Sequence, residues 1–165
     1  MINVEKELAS MALEHAKSVK GKDYKGDYKS LVKGFGARIM NNGILGAMAF
    51  LAAKGDLSDK KKIHYWLLFY HISEAVNNIS GIQAFKSENM SKAFGKIEEI
   101  QGNKDKLREE KKKITGEIET ILRWLSNPSN ITDYFYVQEL SLTYISYLRR
   151  YVDALIEEEK DNGQA

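Results

Sequence analysis

Cysteine is absent from the 165-residue sequence, and proline occurs once, at Pro128. Without thiols the chain cannot form disulfides, thiolate zinc sites or a cysteine nucleophile, and it suits a reducing compartment. With a single proline, long stretches rich in Ala, Leu, Ile, Lys and Glu are free to be helical. These absences favour an all-helical protein of the cytoplasm.

Export signals and long apolar runs are also lacking. The sequence begins Met-Ile-Asn-Val-Glu-Lys-Glu, with carboxylates where a signal peptide has a basic start followed by an apolar run. The most apolar stretches, 43–53 and 63–72, are shorter than the roughly 20 residues that a membrane-spanning helix needs. We therefore predict no membrane association and a cytoplasmic location.

The formal net charge is only +2, so any basic surface must be local. Bases outnumber acids between residues 17 and 38, where Tyr24 and Tyr28 add aromatic rings. Such a segment suits contacts with phosphates and bases, although lysines in this density are also typical of a solvated helix face. Its bases are Lys17, Lys20, Lys22, Lys25, Lys29, Lys33 and Arg38, against Asp23 and Asp27.

Hydrophobic spacing predicts an all-α, single-domain bundle of about six helices over residues 1–165. Apolar residues recur at steps of three and four, which is the pattern of one buried helix face. A lysine-rich helical region at 82–126 contains the longest helix, and the C-terminal helix is also long. The predicted helices cover 3–19, 28–39, 44–54, 59–77, 97–125 and 132–155.

Glycines and asparagines indicate how the second and third helices meet. Asn41-Asn42-Gly43 is predicted as the turn between them, because Gly43 can take a positive φ and Asn42 can cap the helix that follows. Gly34 and Gly36 lie inside the second helix, where each costs about 1 kcal/mol relative to alanine. We expect these two glycines to mark close packing against a neighbour.

His64, His71 and Glu74 form the arrangement most suited to a metal, since separations of seven and three place them on one side of a helix. The spacing lacks the histidine pair of a zincin and the paired Glu-x-x-His motifs of a di-iron bundle. Ordinary packing or surface histidines fit the pattern better. We predict no catalytic residues, no metal and no cofactor.

The 97–125 helix carries an apolar seam at steps of three and four, the spacing that packs against a partner helix. A helical adaptor that binds only protein is therefore an alternative to a protein that contacts nucleic acid. The seam consists of Ile97, Ile100, Leu107, Ile114, Ile118, Ile121 and Leu125, with Lys104 and Lys111 at two of its positions.

Two segments resemble a known family. Residues 28–54 contain a tyrosine, a basic residue, an apolar helix, an Asn-Gly turn and an Ala-Phe-Leu helix in that order. Residues 142–154 contain Tyr-Leu, a basic residue and a closing alanine. The chain is similar in these segments to the small helical subunit of the type III-B, or Cmr, CRISPR effector complex. It departs from the family pattern at Gly34 and Gly36, where many relatives carry a proline.

The resemblance implies a non-catalytic structural subunit in antiviral defence. Its partners would be copies of itself, other Cmr-type effector subunits, and guide RNA and target RNA within the complex. Each implied contact residue also has a purely structural interpretation, such as helix capping for Asn42 or a solvated surface for the two arginines of the last helix. The implied RNA or subunit contacts are Lys29, Lys33, Arg38, Asn41, Asn42, Arg149 and Arg150.

Overall fold

The computed structural model describes residues 3–157. This range contains seven α-helices and no strand, so the all-α prediction is confirmed. No helix in it is long and apolar enough to cross a membrane. The helices are α1 (Val4–Val19), α2 (Lys25–Lys54), α3 (Ile63–Ser80), α4 (Glu88–Gly95), α5 (Ile97–Gln101), α6 (Lys104–Ser126) and α7 (Ile131–Leu155), with single 3-10 turns at Gln83–Phe85 and Pro128–Asn130.

Buried side chains from all seven helices form one hydrophobic core. Helix α7 lies at its centre and packs against α1, α2 and α3, while α6 packs against α2, α4 and α5. The predicted stripes supply this core: Leu8, Ala12 and Val19 of α1 are buried, as are Val137, Leu140 and Leu148 of α7. Burial of each of the larger aliphatic side chains stabilises the folded state by about 1.5–3 kcal/mol.

The predicted turn at Asn41-Asn42-Gly43 is a kink within α2. Gly43 has φ 74° and ψ 165°, a conformation open to glycine, so the predicted positive φ is confirmed. The amides after the kink need acceptors. Ile44 N donates to Gln138 Oε1 at 2.9 Å, and Leu45 N donates to the Tyr134 hydroxyl at 3.3 Å. The cap of the helix after the kink therefore comes from α7. The prediction that Asn42 would supply this cap is wrong.

The predicted helix at 97–125 is two helices, because the chain turns at Gly102 and Asn103. The Asn103 side chain accepts hydrogen bonds from the amides of Asp105 and Lys106 at 3.1 and 3.2 Å, which starts α6. The isoleucines of the predicted seam are buried in this chain's own core. A partner helix therefore cannot pack on the seam as the adaptor hypothesis required.

Helix α4 lies within the helical region predicted at 82–126 but was not predicted as a separate helix, and a distant side chain holds its first turn. The Glu117 carboxylate of α6 accepts hydrogen bonds from Asn89 N at 3.0 Å and from Met90 N at 2.8 Å. A carboxylate at this position also interacts favourably with the positive end of the helix dipole. Helices α4 and α6 are thereby joined by polar as well as apolar contacts.

Gly34 and Gly36 of α2 have different surroundings. A Cβ on Gly36 would meet Ile145 Cγ2 of α7 at 3.7 Å, an ordinary van der Waals distance. A Cβ on Gly34 would meet no atom within 4 Å. The expectation of close packing is therefore wrong for Gly34, whose side of the helix is open.

Replacing Gly43 by alanine should cost at least about 1 kcal/mol more than replacing Gly81. Both glycines have positive φ, 74° and 69°, so each variant carries backbone strain. Only at Gly43 would the new Cβ also approach the Tyr134 hydroxyl oxygen, at 2.8 Å, whereas Gly81 has open space. Urea unfolding of Gly43→Ala and Gly81→Ala measures the difference. Equal losses of stability would contradict the contact between the kink and α7.

Candidate functional site

The seven residues implied by the resemblance lie on different faces of the structure, and one of them is buried. Lys29 is 7% exposed, and its Nζ donates to the backbone oxygen of Ile156 at 2.7 Å. The carbonyl groups at the end of a helix lack partners within the helix, so this ammonium satisfies one just after α7. Lys29 therefore holds the end of α7 against α2.

Three of the basic residues lie on α2 and on the last turns of α7, two helices that pack against each other. Lys33 Nζ forms an ion pair with Asp153 Oδ1 at 3.4 Å. Arg149 is one helical turn before Asp153, so it lies on the same side of α7. Arg150 is the next residue, with its guanidinium carbon 5.5 Å from the centroid of the Tyr147 ring. Both arginines are exposed. We call Lys33, Arg149 and Arg150 the basic edge.

Arg38 lies on the other side of α2, facing α3. Its guanidinium carbon is 3.5 Å from the centroid of the Phe50 ring, a cation–π contact. Together with His64 and Tyr65 of α3, it lines a groove of about 340 Å³ between the two helices. The structure therefore separates Arg38 from the basic edge. We call this cavity the α2–α3 groove.

Asn41 and Asn42 are both exposed at the kink, beside a group of exposed apolar side chains. Met40 precedes the asparagines and is 75% exposed, and Phe135 near the start of α7 is 59% exposed. The kink and this end of α7 are in direct contact through Tyr134. Exposed apolar groups beside polar ones are typical of protein contact sites. We call Met40, Asn41, Asn42, Ile131, Phe135 and Tyr136 the junction patch.

His64, His71 and Glu74 do not converge on one point. His71 is fully buried, and its Nδ1 accepts a hydrogen bond from the Tyr28 hydroxyl at 2.6 Å. The Glu74 carboxylate instead accepts from His15 Nε2 at 3.2 Å. Across residues 3–157, no three His, Asp or Glu side chains form a group that could hold a metal ion.

His71 and Glu74, but not His64, belong to a polar network that joins four helices. The ring of His15 stacks on that of His71, with centroids 4.0 Å apart, and its Nδ1 is hydrogen-bonded to the Tyr144 hydroxyl. Tyr28 of α2 and Glu74 of α3 complete it. The apolar stripe of α1 runs through His15, and a histidine at such a position must find buried partners. That was the only signal of the network in the sequence.

Burial sets the charges in this network. It holds the pKa of His71 well below its usual value, so this imidazole is neutral, and it raises the pKa of Tyr28 and Tyr144 well above theirs. The hydrogen bond from His15 lowers the pKa of Glu74, which keeps this carboxylate ionised. Burial and a hydrogen bond to Glu74 also raise the pKa of Tyr70 to about 12. The hydroxyl groups are therefore fixed hydrogen-bond donors.

Comparison with protein families decides what the chain is related to. The family model described as CRISPR-associated protein (Cas_Cmr5) matches residues 4–155, which include all seven helices. The chain belongs to the Cas_Cmr5 family. The resemblance to the small subunit of the type III-B Cmr complex is thus confirmed, and association with other Cmr subunits follows from membership. No curated protein and no solved structure matched the chain.

The buried histidine makes the stability of this Cmr5 family member depend on pH. The pKa of folded His71 lies below its unfolded value of 6.5, so only the unfolded chain binds a proton there near that pH. The contribution of His71 to the free energy of unfolding is fully present above pH 6.5. Below pH 6.5 this free energy decreases by up to about 1.4 kcal/mol per pH unit because of this group. His71→Asn keeps an acceptor for Tyr28 and should reduce the loss. Urea unfolding at pH 7.5 and pH 5 tests this. An unchanged loss would contradict it.

Lys29→Met should lower the free energy of unfolding by about 1–3 kcal/mol, because it leaves the Ile156 carbonyl without its partner. Lys20→Met is the matched control. Lys20 is exposed, and the same change there should stay within about 0.5 kcal/mol. Thermal and urea unfolding of both variants measure the difference. A fully stable Lys29→Met protein that lost RNA from the complex would show that Lys29 acts mainly at an RNA contact.

Proposed function

We propose that this chain is a non-catalytic structural subunit of a type III-B Cmr effector complex, which acts in the cytoplasm in RNA-guided antiviral defence. It stacks with copies of itself and with neighbouring subunits along the groove that holds guide and target RNA. The observation that carries this proposal is the family match over residues 4–155. The surfaces described above supply the contacts.

The basic edge is the surface that suits an RNA backbone. Arg149 and Arg150 are exposed on α7, and Lys33 of α2 is joined to the same helix by its ion pair with Asp153. Arginine forms paired hydrogen bonds with phosphates, and such contacts do not depend on sequence. The net charge of +2 means that the isolated chain gains little from long-range attraction. The RNA contact therefore depends on neighbouring subunits for most of its strength.

The junction patch is the surface that suits a protein neighbour. Met40 and Phe135 leave most of their apolar area in water, and burying this area against another subunit is favourable by about 25 cal/mol per Å². The amide groups of Asn41 and Asn42 lie next to them and can form directional hydrogen bonds. An apolar centre with polar groups at its rim is the usual arrangement of such interfaces.

The chemistry-bearing side chains of the core support a non-catalytic role. His15, His71 and Glu74 each have a partner inside the fold, and these contacts join helices far apart in the sequence. A general base must be free to take the proton of a substrate. His15 and Glu74 border a cleft of about 570 Å³, but both are already engaged with each other and with tyrosine hydroxyl groups. We therefore propose that catalysis in the complex belongs to other subunits.

Charge reversal on the basic edge tests the RNA contact. Arg149→Glu with Arg150→Glu should leave the co-purified protein subunits in place but lower the amount of guide RNA, and the difference from the unchanged complex should be largest at low salt and shrink as salt rises. For single-stranded RNA, log K falls by about 0.7 per log unit of salt for each phosphate neutralised. Arg108→Glu with Lys112→Glu is the control, because both residues are exposed on α6 and the charge change is the same.

Mild-salt purification of the tagged chain from its native cells distinguishes the two functions. Larger subunits together with guide RNAs would support the proposal. Protein partners without RNA, from cells that express guides, would favour the helical adaptor. Such an adaptor would have to bind through the junction patch, since the predicted seam is buried.

A further inference from the structure

Gly34 has no packing reason to be a glycine. It lies in the middle of the first half of α2, where glycine destabilises a helix by about 1 kcal/mol relative to alanine. Its backbone conformation is helical, and a Cβ would meet no atom within 4 Å. Glycine is also used where a ligand approaches the backbone closely. Gly34 lines the α2–α3 groove, so its bare backbone is open to a molecule bound there.

His64 provides unused hydrogen-bonding capacity at the same groove. The residue is 6% exposed, and its Nδ1 is the one buried side-chain nitrogen or oxygen in residues 3–157 without a hydrogen-bond partner. Unsatisfied buried polar atoms are rare in folded proteins and require an explanation. The Nε2 atom also makes no hydrogen bond with any described residue, and it is not among the buried atoms. It is therefore the nitrogen that a molecule in the groove can reach.

The α2–α3 groove combines a planar guanidinium group with hydrogen-bond donors and acceptors. One face of the Arg38 guanidinium lies on the Phe50 ring, and this side chain forms part of the groove wall. Burial lowers the pKa of His64, while the nearby Asp27 carboxylate acts in the opposite direction. A neutral imidazole has one N–H donor and one acceptor. With the Ser30 hydroxyl and the Asp27 carboxylate, the groove can both donate and accept hydrogen bonds.

We propose that the α2–α3 groove binds one nucleotide of a single-stranded RNA, with the base stacked on Arg38 and its edge hydrogen-bonded to His64 and Asp27. The inference rests on the proposed function, since it assumes that RNA lies along this subunit. Bases stack on guanidinium planes, and their edges carry both donors and acceptors. A bare phosphate fits less well beside the Asp27 carboxylate. A volume of about 340 Å³ is at the small end of ligand clefts, which suits one nucleotide.

Filling the groove without changing any charge tests the inference. Gly34→Leu places a side chain in the groove, and Gly116→Leu on α6 is the matched control, because its Cβ also meets no atom within 4 Å. The full chain is titrated with hexauridylate and hexaadenylate at low salt and followed by NMR. We expect shifts at Gly34, Ser30 and His64. Gly34→Leu should raise the Kd at least ten-fold, and Gly116→Leu should leave it unchanged.

Two results would overturn the inference. One is the absence of shifts at the groove residues at saturating RNA, including the case in which shifts occur only at the basic edge. The other is an unchanged Kd for Gly34→Leu. If Gly34→Leu fails to fold, Arg38→Ala serves as a second variant. It should weaken RNA binding as strongly. Crosslinking of the groove to a protein neighbour in the purified complex would also overturn it. Co-purification with guide RNA tests the proposed function separately, so the two failures are distinguishable.

Discussion

The fold depends on backbone groups that helices cannot satisfy by themselves and that side chains from distant helices satisfy instead. The kink at Gly43 is capped by Tyr134 and Gln138 of α7, and the carbonyl of Ile156 after α7 is held by Lys29 of α2. The two helices thus complete each other's open ends. Because a buried backbone group without a partner costs about 1–3 kcal/mol, these contacts fix how α2 and α7 lie together.

Hydrophobic periodicity predicted the helices that bury one continuous stripe. Helices α1, α3 and α7 were predicted within a few residues of their ends, because α1 and α7 carry apolar stripes that face the core and α3 is buried over most of its surface. The same reasoning did not separate α4 from the rest of the 82–126 region, and it joined α5 to α6. In those places the break depends on Asn103 and the first turn of α4 on Glu117, a side chain from another helix. The cap of α4 comes from a distance and leaves no local pattern in the sequence, whereas Gly102-Asn103 is a local break that the apolar spacing obscured.

The candidate site was predicted in part. The Asn-Gly turn and the conformation of Gly43 followed from residue type alone. The sequence could not predict that Lys29, Lys33 and Arg38 would lie in three different surroundings, because this depends on which helix packs against each face of α2. Residues 28–54 and 142–154 belong to helices that pack directly on each other. The segments that carried the resemblance are therefore in contact with each other, although they are distant in sequence.

The contact between α1 and α7 has a consequence for how the protein is made. His15 is bonded to Tyr144, 129 residues later, and the apolar face of α1 packs on α7. At a synthesis rate of about 5–20 residues per second, this face waits roughly 6–26 seconds for its partner helix. During that time the nascent chain exposes apolar surface that a chaperone could cover. Folding is thus completed only after α7 has left the ribosome.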